Sequence, residues 1–356
     1  MLNIYFVVVI NILSQICSNL TFKIITNQYG IQAAFFENIV MAIINAILGI
    51  FILAPMYYCE RNYPESEWTI KSEYRKWNNH KVYCLTGLID AITSFGMAIS
   101  GPSISGDFQV ILQQLAFPLT VILAPIFFKS VRENIILCII FRTKVFIWYI
   151  FGIFMLLSGV VVSVNDIYAN DLNQTIIFTI SSCLSCSSWL FKQYILDSKK
   201  CTLMQINVIN SIYMVLFLIL LWPIQLTKLF GDIPIDQFFN ITFVNGEKCF
   251  FGEYDGCDNF SWLYELLYSF AIFVTQLCTM FLCQQKSAAY QRAVQILVIP
   301  FSCIIFTITN LPTNSTQPMT FRIFIGLVLI VKITLLMKIR TSVLEEKLDL
   351  LIHWFE

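Results

Sequence analysis

The sequence predicts an all-α polytopic membrane protein with ten transmembrane helices in two inverted five-helix repeats. Three observations predict it: an apolar composition poor in charge, ten apolar runs of spanning length, and one polar phrase that occurs twice. Of 356 residues, 58% are hydrophobic and only 12% charged, against about 25% charged in soluble domains. The mean hydropathy is +0.74, and 32 Phe do not suit a surface facing water. The formal net charge is zero, so no global field invites nucleic acid.

A helix needs about 20 apolar residues to cross the hydrocarbon. Ten runs qualify: 2–22, 33–58, 81–101, 107–128, 145–166, 172–191, 202–226, 262–283, 288–311 and 319–339. The first has neither a basic n-region nor a small-residue cleavage site, so it reads as a retained span. The seventh ends at Trp222 and Pro223, an interfacial aromatic and a helix stop. Residues 1–166 make the first repeat. Residues 172–341 make the second, which carries the long loop 227–261. Residues 342–356 form an amphipathic tail with Leu344, Leu348, Leu351 and Phe355 on one stripe. The stretch "KSVRENIILCIIFRTK" (129–144) is too short in apolar residues to span and is expected at the interface. Residues 233–243 are expected along the lumenal surface.

Charge sets the orientation, because cytosolic loops collect Lys and Arg. With a cytosolic N-terminus, the cytosolic side holds Arg61, Lys71, Arg75, Lys76, Lys81, Lys129, Arg132, Arg142, Lys144, Lys192, Lys199, Lys200, Lys286, Arg292, Lys338, Arg340 and Lys347. These are 17 of the 22 basic residues. The opposite side holds Lys23, Lys228, Lys248 and Arg322, and Lys332 falls within the last span. Both termini are then cytosolic. Asn-x-Ser/Thr triplets begin at Asn19, Asn173, Asn240, Asn259 and Asn314, all in or beside lumenal segments under this topology, as glycosylation requires. The last four are the glycosylation candidates. Ten of the 12 Cys lie in spans or on the cytosolic side, where they act as small packing residues. Cys249 and Cys257 alone occupy the long lumenal loop, where a secretory lumen permits a disulfide worth roughly 2–3 kcal/mol.

The repeated phrase is "VILQQLAFPLTVI" (110–122) and "VQILVIPFSCIIF" (294–306). Each places Gln-x-x-x-x-Pro inside an apolar run, in the fourth span of its set of five. Five is odd, so the second set crosses the membrane inverted. Inverted repeats are a signature of secondary transporters, whose site lies between the halves. Gln113, Gln114 and Gln295 should therefore face inward, Gln113 and Gln295 lining opposite vestibules of one pathway, since a polar group facing lipid is costly. The prolines free backbone carbonyls, which is tolerated at a cavity. The competing reading makes these glutamines structural glue between helices.

Other polar residues extend the pathway. Asp90 lies near the middle of its span, with Thr86, Thr93, Ser94 and Met97 at helical spacing on its face. A carboxylate there can take a proton on one side of the membrane and release it on the other; a structural Asp is the alternative. Lys332 is its counter-ion or a snorkelling side chain. Ser14, Gln15 and Ser18 make a polar stripe in the first span. Glu37, at the lumenal entry of the second span, is a weaker acid candidate for the proton and is otherwise expected at the interface. The patch "SSCLSCSS" (181–188) reads as close helix packing.

Enzyme classes find no support. There is no H-E-x-x-H, no G-x-S-x-G, no metal constellation and no cofactor motif; His80 and His353 have no ligand partner in sequence. Channels favour charge rings or carbonyl filters, and neither is visible. The expected partners are a small-molecule substrate, protons and membrane lipid, and a monomer is expected.

Long stretches of the chain resemble the chloroquine-resistance transporters of apicomplexans, within the drug/metabolite transporter superfamily. The phrases that carry the resemblance are "GLIDAITSFGMAISGPSISGDFQVILQQLAFPLTVIL" (87–123), "IPIDQFFNITFVNGEKCFFG" (233–252), "DGCDNF" (255–260) and "AYQRAVQILVIPF" (289–301). The resemblance implies ten helices in two inverted halves and cytosolic termini. It also implies the membrane of an acidic vacuole or related lysosome-like compartment, and proton-coupled export of peptides, amino acids, thiol peptides or cationic drugs. Where that family has four loop cysteines, this chain keeps Cys249 and Cys257, which match the outer pair. Where that family's eighth span carries acids, this chain reads "SFAIFVTQLCTMF", with Thr275 and Gln276 in place of charge. A nucleotide-sugar or organic-phosphate antiporter of the same superfamily is the alternative. It would call for basic residues inside the spans, where only Lys332 is expected.

A glycosylation reporter fused to the C-terminus is expected to stay unglycosylated. A glycosylated reporter would overturn the topology.

Overall fold

The computed structural model describes residues 4–62, 77–128, 172–197, 202–228, 230–286, 290–291, 294–295 and 297–309. The predicted fifth and tenth spans, the 129–144 stretch, the tail, Asn314 and Lys332 lie outside them. The described residues are helical, with no strand among them. Nine α-helices follow in order: α1 (Ile4–Asn62), α2 (Trp77–Ser100), α3 (Gly106–Gln113), α4 (Ala116–Phe127), α5 (Leu172–Asp197), α6 (Leu203–Leu221), α7 (Asn245–Phe250), α8 (Ser261–Gln285) and α9 (Val298–Thr309). Five helical runs among them are long and apolar enough to cross a membrane.

The bundle's surface is apolar, and its interior combines an apolar core with many buried polar side chains. Phe6, Leu13, Phe51, Ile126 and Leu220 are exposed, whereas Asn11, Lys23, Glu37, Asn45, Lys192, Asn210 and Glu265 are buried. A soluble protein rarely exposes apolar side chains on this scale, and lipid is the medium that suits them. Close packing of the backbones uses small residues. Gly96 on α2 faces Ser181 on α5, and Gly87 faces Tyr213 on α6 so tightly that a Cβ would meet the backbone of Met214 at 3.2 Å.

The chain departs from straight spans at three places. First, α1 has 59 residues, roughly 90 Å at 1.5 Å per residue, about three times the hydrocarbon thickness. Gly30, at φ 62° and ψ −171°, divides it into two arms over the two predicted spans 2–22 and 33–58. That backbone region belongs almost entirely to glycine. Both arms pack on α8. On the first, Ser14 accepts from Thr275 at 2.9 Å, and Phe22 lies 5.6 Å from the Tyr268 ring. Carbonyls beside the bend find donors across the bundle: the Gln225 amide reaches Ile31 and Gln32 at 3.3 and 3.2 Å.

Second, α2 ends in the 3-10 turn Gly101–Ser103. Its carbonyls are capped by a buried ammonium. Lys23 donates to the oxygens of Gly101, Pro102 and Ile104 at 2.9, 3.3 and 2.6 Å. Gln109 donates to those of Gly101 and Ile104 at 2.7 and 3.0 Å. The sequence reading places Lys23 in a loop. It is instead 2% exposed inside α1, where it neutralises the negative end of a helix.

Third, the predicted fourth span, 107–128, is two helices. The Gln114 and Leu115 amides bond back three residues, to Ile111 and Leu112 at 3.0 and 3.1 Å, so the backbone tightens between α3 and α4. The predicted ninth span also breaks: Leu297 bonds back to Val294 at 3.0 Å, and α9 starts at Val298. The half-helices α3 and α9 pack together, with a Gly106 Cβ position only 2.6 Å from the Phe306 ring.

The other boundaries have local causes. Thr202 and Gln205 form a reciprocal capping box at the start of α6. After α6 a 3-10 turn runs Trp222–Leu226, and a π-helical turn, Phe239–Val244, leads into α7. Phe238 and Phe243 of this segment pack against Phe35 of α1 at 5.9 and 6.0 Å. The 233–243 piece is thus partly built into the end of the bundle rather than only laid along a surface. Asn173, Asn240 and Asn259 are exposed. Asn19 is enclosed within α1 and touches Ser302 at 3.4 Å, so it is not beside a loop.

At Gly30 an added Cβ meets nothing within 4 Å, so the only penalty for a side chain there is conformational. Gly30→Ala is expected to cost about 1–3 kcal/mol, read as a lower melting midpoint in detergent. An unchanged midpoint would mean that the bend is not a constraint.

Candidate functional site

Polar side chains from most of these elements converge on one cavity of about 210 Å³, room for roughly seven waters at 30 Å³ each. The first arm of α1 supplies Gln15, Ser18, Asn19 and Phe22, and its second arm Met41. Helix α2 supplies Asp90, Thr93, Ser94 and Met97. The break after α3 supplies Gln113 and Gln114. Helices α5, α6 and α8 add Ser185, Trp189, Lys192, Met214, Tyr268, Ile272, Thr275 and Gln276, and Gln295 completes the wall.

Eight of the residues singled out from sequence therefore share one space: Gln15, Ser18, Asp90, Thr93, Gln113, Gln114, Gln276 and Gln295. Gln113 and Gln295 were expected in opposite vestibules. They line the same cavity, because both predicted spans break beside them. Ser14 stands one layer back, accepting from the Thr275 hydroxyl. Gln114 is 6% exposed and donates to Val110 within its own turn at 3.3 Å.

The electrostatic centre is an ion pair. Asp90 Oδ2 accepts from Lys192 Nζ at 2.6 Å and from Asn210 Nδ2 at 2.6 Å. The Lys192 ammonium also sits 4.4 Å from the Trp189 ring centroid, a cation–π contact. Ser94 donates to Asn38, tying α2 to the second arm of α1. The cavity thus holds one carboxylate and one ammonium, matched, among amides and hydroxyls.

Two buried charged residues, Lys192 and Glu265, escaped the sequence reading, and a third, Glu37, was placed at the interface. Lys192 was assigned to a cytosolic loop, one residue beyond a span ending at 191. Helix α5 continues to Asp197 and buries Lys192, which is 4% exposed; the apolar Ile195 and Leu196 were the signal. Asp90 therefore has a partner in α5. Losing Lys192 and Lys23 removes one residue from each side of the charge count and leaves the asymmetry standing. Glu265 lies inside the predicted span 262–283 and within α8, but was missed because the acid-free segment was taken from Ser269 onward. Glu37 was expected at the interface and is 1% exposed. Among the described residues Glu37 and Glu265 are buried acids and Asp90 is half-buried. No group of three or more metal-ligating side chains forms among them.

The family model described as CRT-like, chloroquine-resistance transporter-like, matches residues 4–336, so the chain belongs to that family. No curated relative matches it.

Proposed function

We propose that this membrane transporter is a secondary active carrier that exports small solutes from an acidic vacuole-like compartment by alternating access coupled to protons. Membership of the family supports the transporter class, and the enclosed Asp90–Lys192 pair is the observation that carries the rest. The two arms of α1 serve as the first two of ten spans, the halves 1–166 and 172–341 are inverted repeats, and both termini face the cytosol.

The cavity's chemistry favours a substrate of amino-acid size that carries both charges, free or at the end of a short peptide. Its ammonium can take Asp90 while its carboxylate takes Lys192, so that one internal ion pair is exchanged for two with the substrate. Gln15, Gln113, Gln276 and Gln295 offer donors and acceptors for the remaining polar atoms. A thiol peptide presents the same two groups; a cationic drug uses Asp90 alone. Lys192 does supply the intramembrane cation that a nucleotide-sugar or organic-phosphate antiporter would need. Its charge is already matched by Asp90, and 210 Å³ is below the roughly 300–1,000 Å³ of pockets for drug-sized ligands. We read a proton on Asp90 as what releases Lys192 in the coupled cycle.

Asp90→Asn keeps size and hydrogen bonding but cannot release a proton. In proteoliposomes with labelled arginine, glutathione or short peptides it should abolish accumulation driven by a pH gradient and preserve part of the exchange at equal pH. Full gradient-driven uptake would remove Asp90 from the coupling. Gln113→Ala should weaken apparent substrate affinity under both conditions by about two- to tenfold, the loss of one hydrogen bond.

The loop 227–261 gives a second test. The Cα atoms of Cys249 and Cys257 are 5.3 Å apart, within disulfide range, and we propose that they are bonded on the lumenal side. Thiol labelling under denaturing, non-reducing conditions should leave both unreacted. Labelling of either in most molecules would disprove the bond.

A further inference from the structure

Glu37, on the second arm of α1, and Glu265, one turn into α8, are 1% and 0% exposed. Glu265 lies within electrostatic reach of Glu37. Neither Glu265 oxygen has a hydrogen-bond partner, and Glu37 Oε2 has none. Tyr29, 6% exposed, lies within electrostatic reach of both carboxyls, and its buried hydroxyl is likewise without a partner. The Ser269 hydroxyl, one turn along α8 from Glu265, is in the same condition.

The neighbouring charges do not relieve the pair. Lys23, on α1, is spent on the carbonyls of Gly101, Pro102 and Ile104. Asp90 of α2 and Lys192 of α5 are matched to each other. His80 of α2 contacts Tyr213 of α6 at 3.0 Å. Glu247 and Lys248 of α7 are exposed. Among the described residues, the titratable groups that face the pair are Tyr29 and Tyr268. Two ionised carboxylates buried together without a cation carry both a desolvation cost and a mutual repulsion, and a bound proton removes most of both. Tyr268 lies within electrostatic reach of Glu37 and Glu265 and also lines the cavity.

We propose that Glu37 and Glu265 form a proton-binding carboxyl pair, distinct from the Asp90–Lys192 ion pair, with Tyr268 both near the pair and in the wall of the cavity. The pair holds at least one proton in this conformation, with Tyr29 and Ser269 as hydrogen-bond partners for the carboxyls once the site rearranges. The site stands on its own geometry. Its use in transport rests on the proton-coupled reading above.

Infrared difference spectroscopy on the full chain in lipid, with deuterium exchange, reads a protonated carboxyl directly. The wild type is expected to show such a band at neutral pH. Glu37→Gln and Glu265→Gln should each alter it, the double variant should lose it, and Asp90→Asn should keep it. A wild type with no protonated-carboxyl band at neutral pH, or a band unchanged in both single variants, would overturn the proposal. So would a band that emerges only after sodium and magnesium are removed, since the pair would then hold a metal cation. Glu265→Gln should also lose gradient-driven accumulation in proteoliposomes. If Asp90→Asn transports normally while the band maps to Glu37 and Glu265, the Asp90 reading fails and this one survives.

Discussion

Satisfaction of buried polar groups is the constraint on which the rest of this structure depends. The outer surface is apolar, so each amide, hydroxyl or charge must find its partner inside the bundle. A hydrogen bond to a charged group contributes about 1.5–3 kcal/mol, and an orphaned one costs at least as much. Lys23 shows the rule at work. The turn at Gly101–Ile104 leaves carbonyls without helical donors, and one ammonium and the Gln109 amide supply them. With those carbonyls answered, α2 can stop and α3 can start inside the bundle. That in turn places the break at Gln114 beside the cavity.

The helix breaks and the cavity are therefore one feature. A continuous fourth span would turn Gln113 and Gln114 about 100° apart on a regular cylinder. The chain breaks at Gln114 and Leu115, and both amides border the cavity there. The break before α9 does the same for Gln295. Freed backbone is tolerated at membrane depth where it lines a cavity, so the positions that cost most in lipid are the ones that build the site.

Much of this was legible in the sequence, for a physical reason. Polar residues in long apolar runs have few places to go but inward, and Gln15, Ser18, Asp90, Thr93, Gln113, Gln114, Gln276 and Gln295 all went there. What hydropathy could not show is where helices end. Lys192 lay one residue past an assigned boundary, and Glu265, inside the assigned span 262–283, lay four residues before the segment searched for acids. Lys23 looked like a loop residue because a charge lowers local hydropathy whether it is solvated or capped. The bend at Gly30 was invisible for the same reason: one glycine barely changes an average, yet its positive φ turns the longest helix.

The buried charges then sort by whether they are satisfied. The Asp90 carboxylate has an ammonium and an amide on one oxygen, and a pair so matched resists opening until something replaces its partner. A substrate with both charges can do that; water reaching one side cannot do it as well. Glu37 and Glu265 are the opposite case, with buried carboxyl oxygens that have no hydrogen-bond partner among the described residues. A site in that condition is poised to respond to a proton, because the proton is the donor it lacks. One cluster thus has the chemistry of a substrate clamp and the other that of a proton store. Tyr268 borders both, so a change in the protonation of one would be felt at the wall of the other.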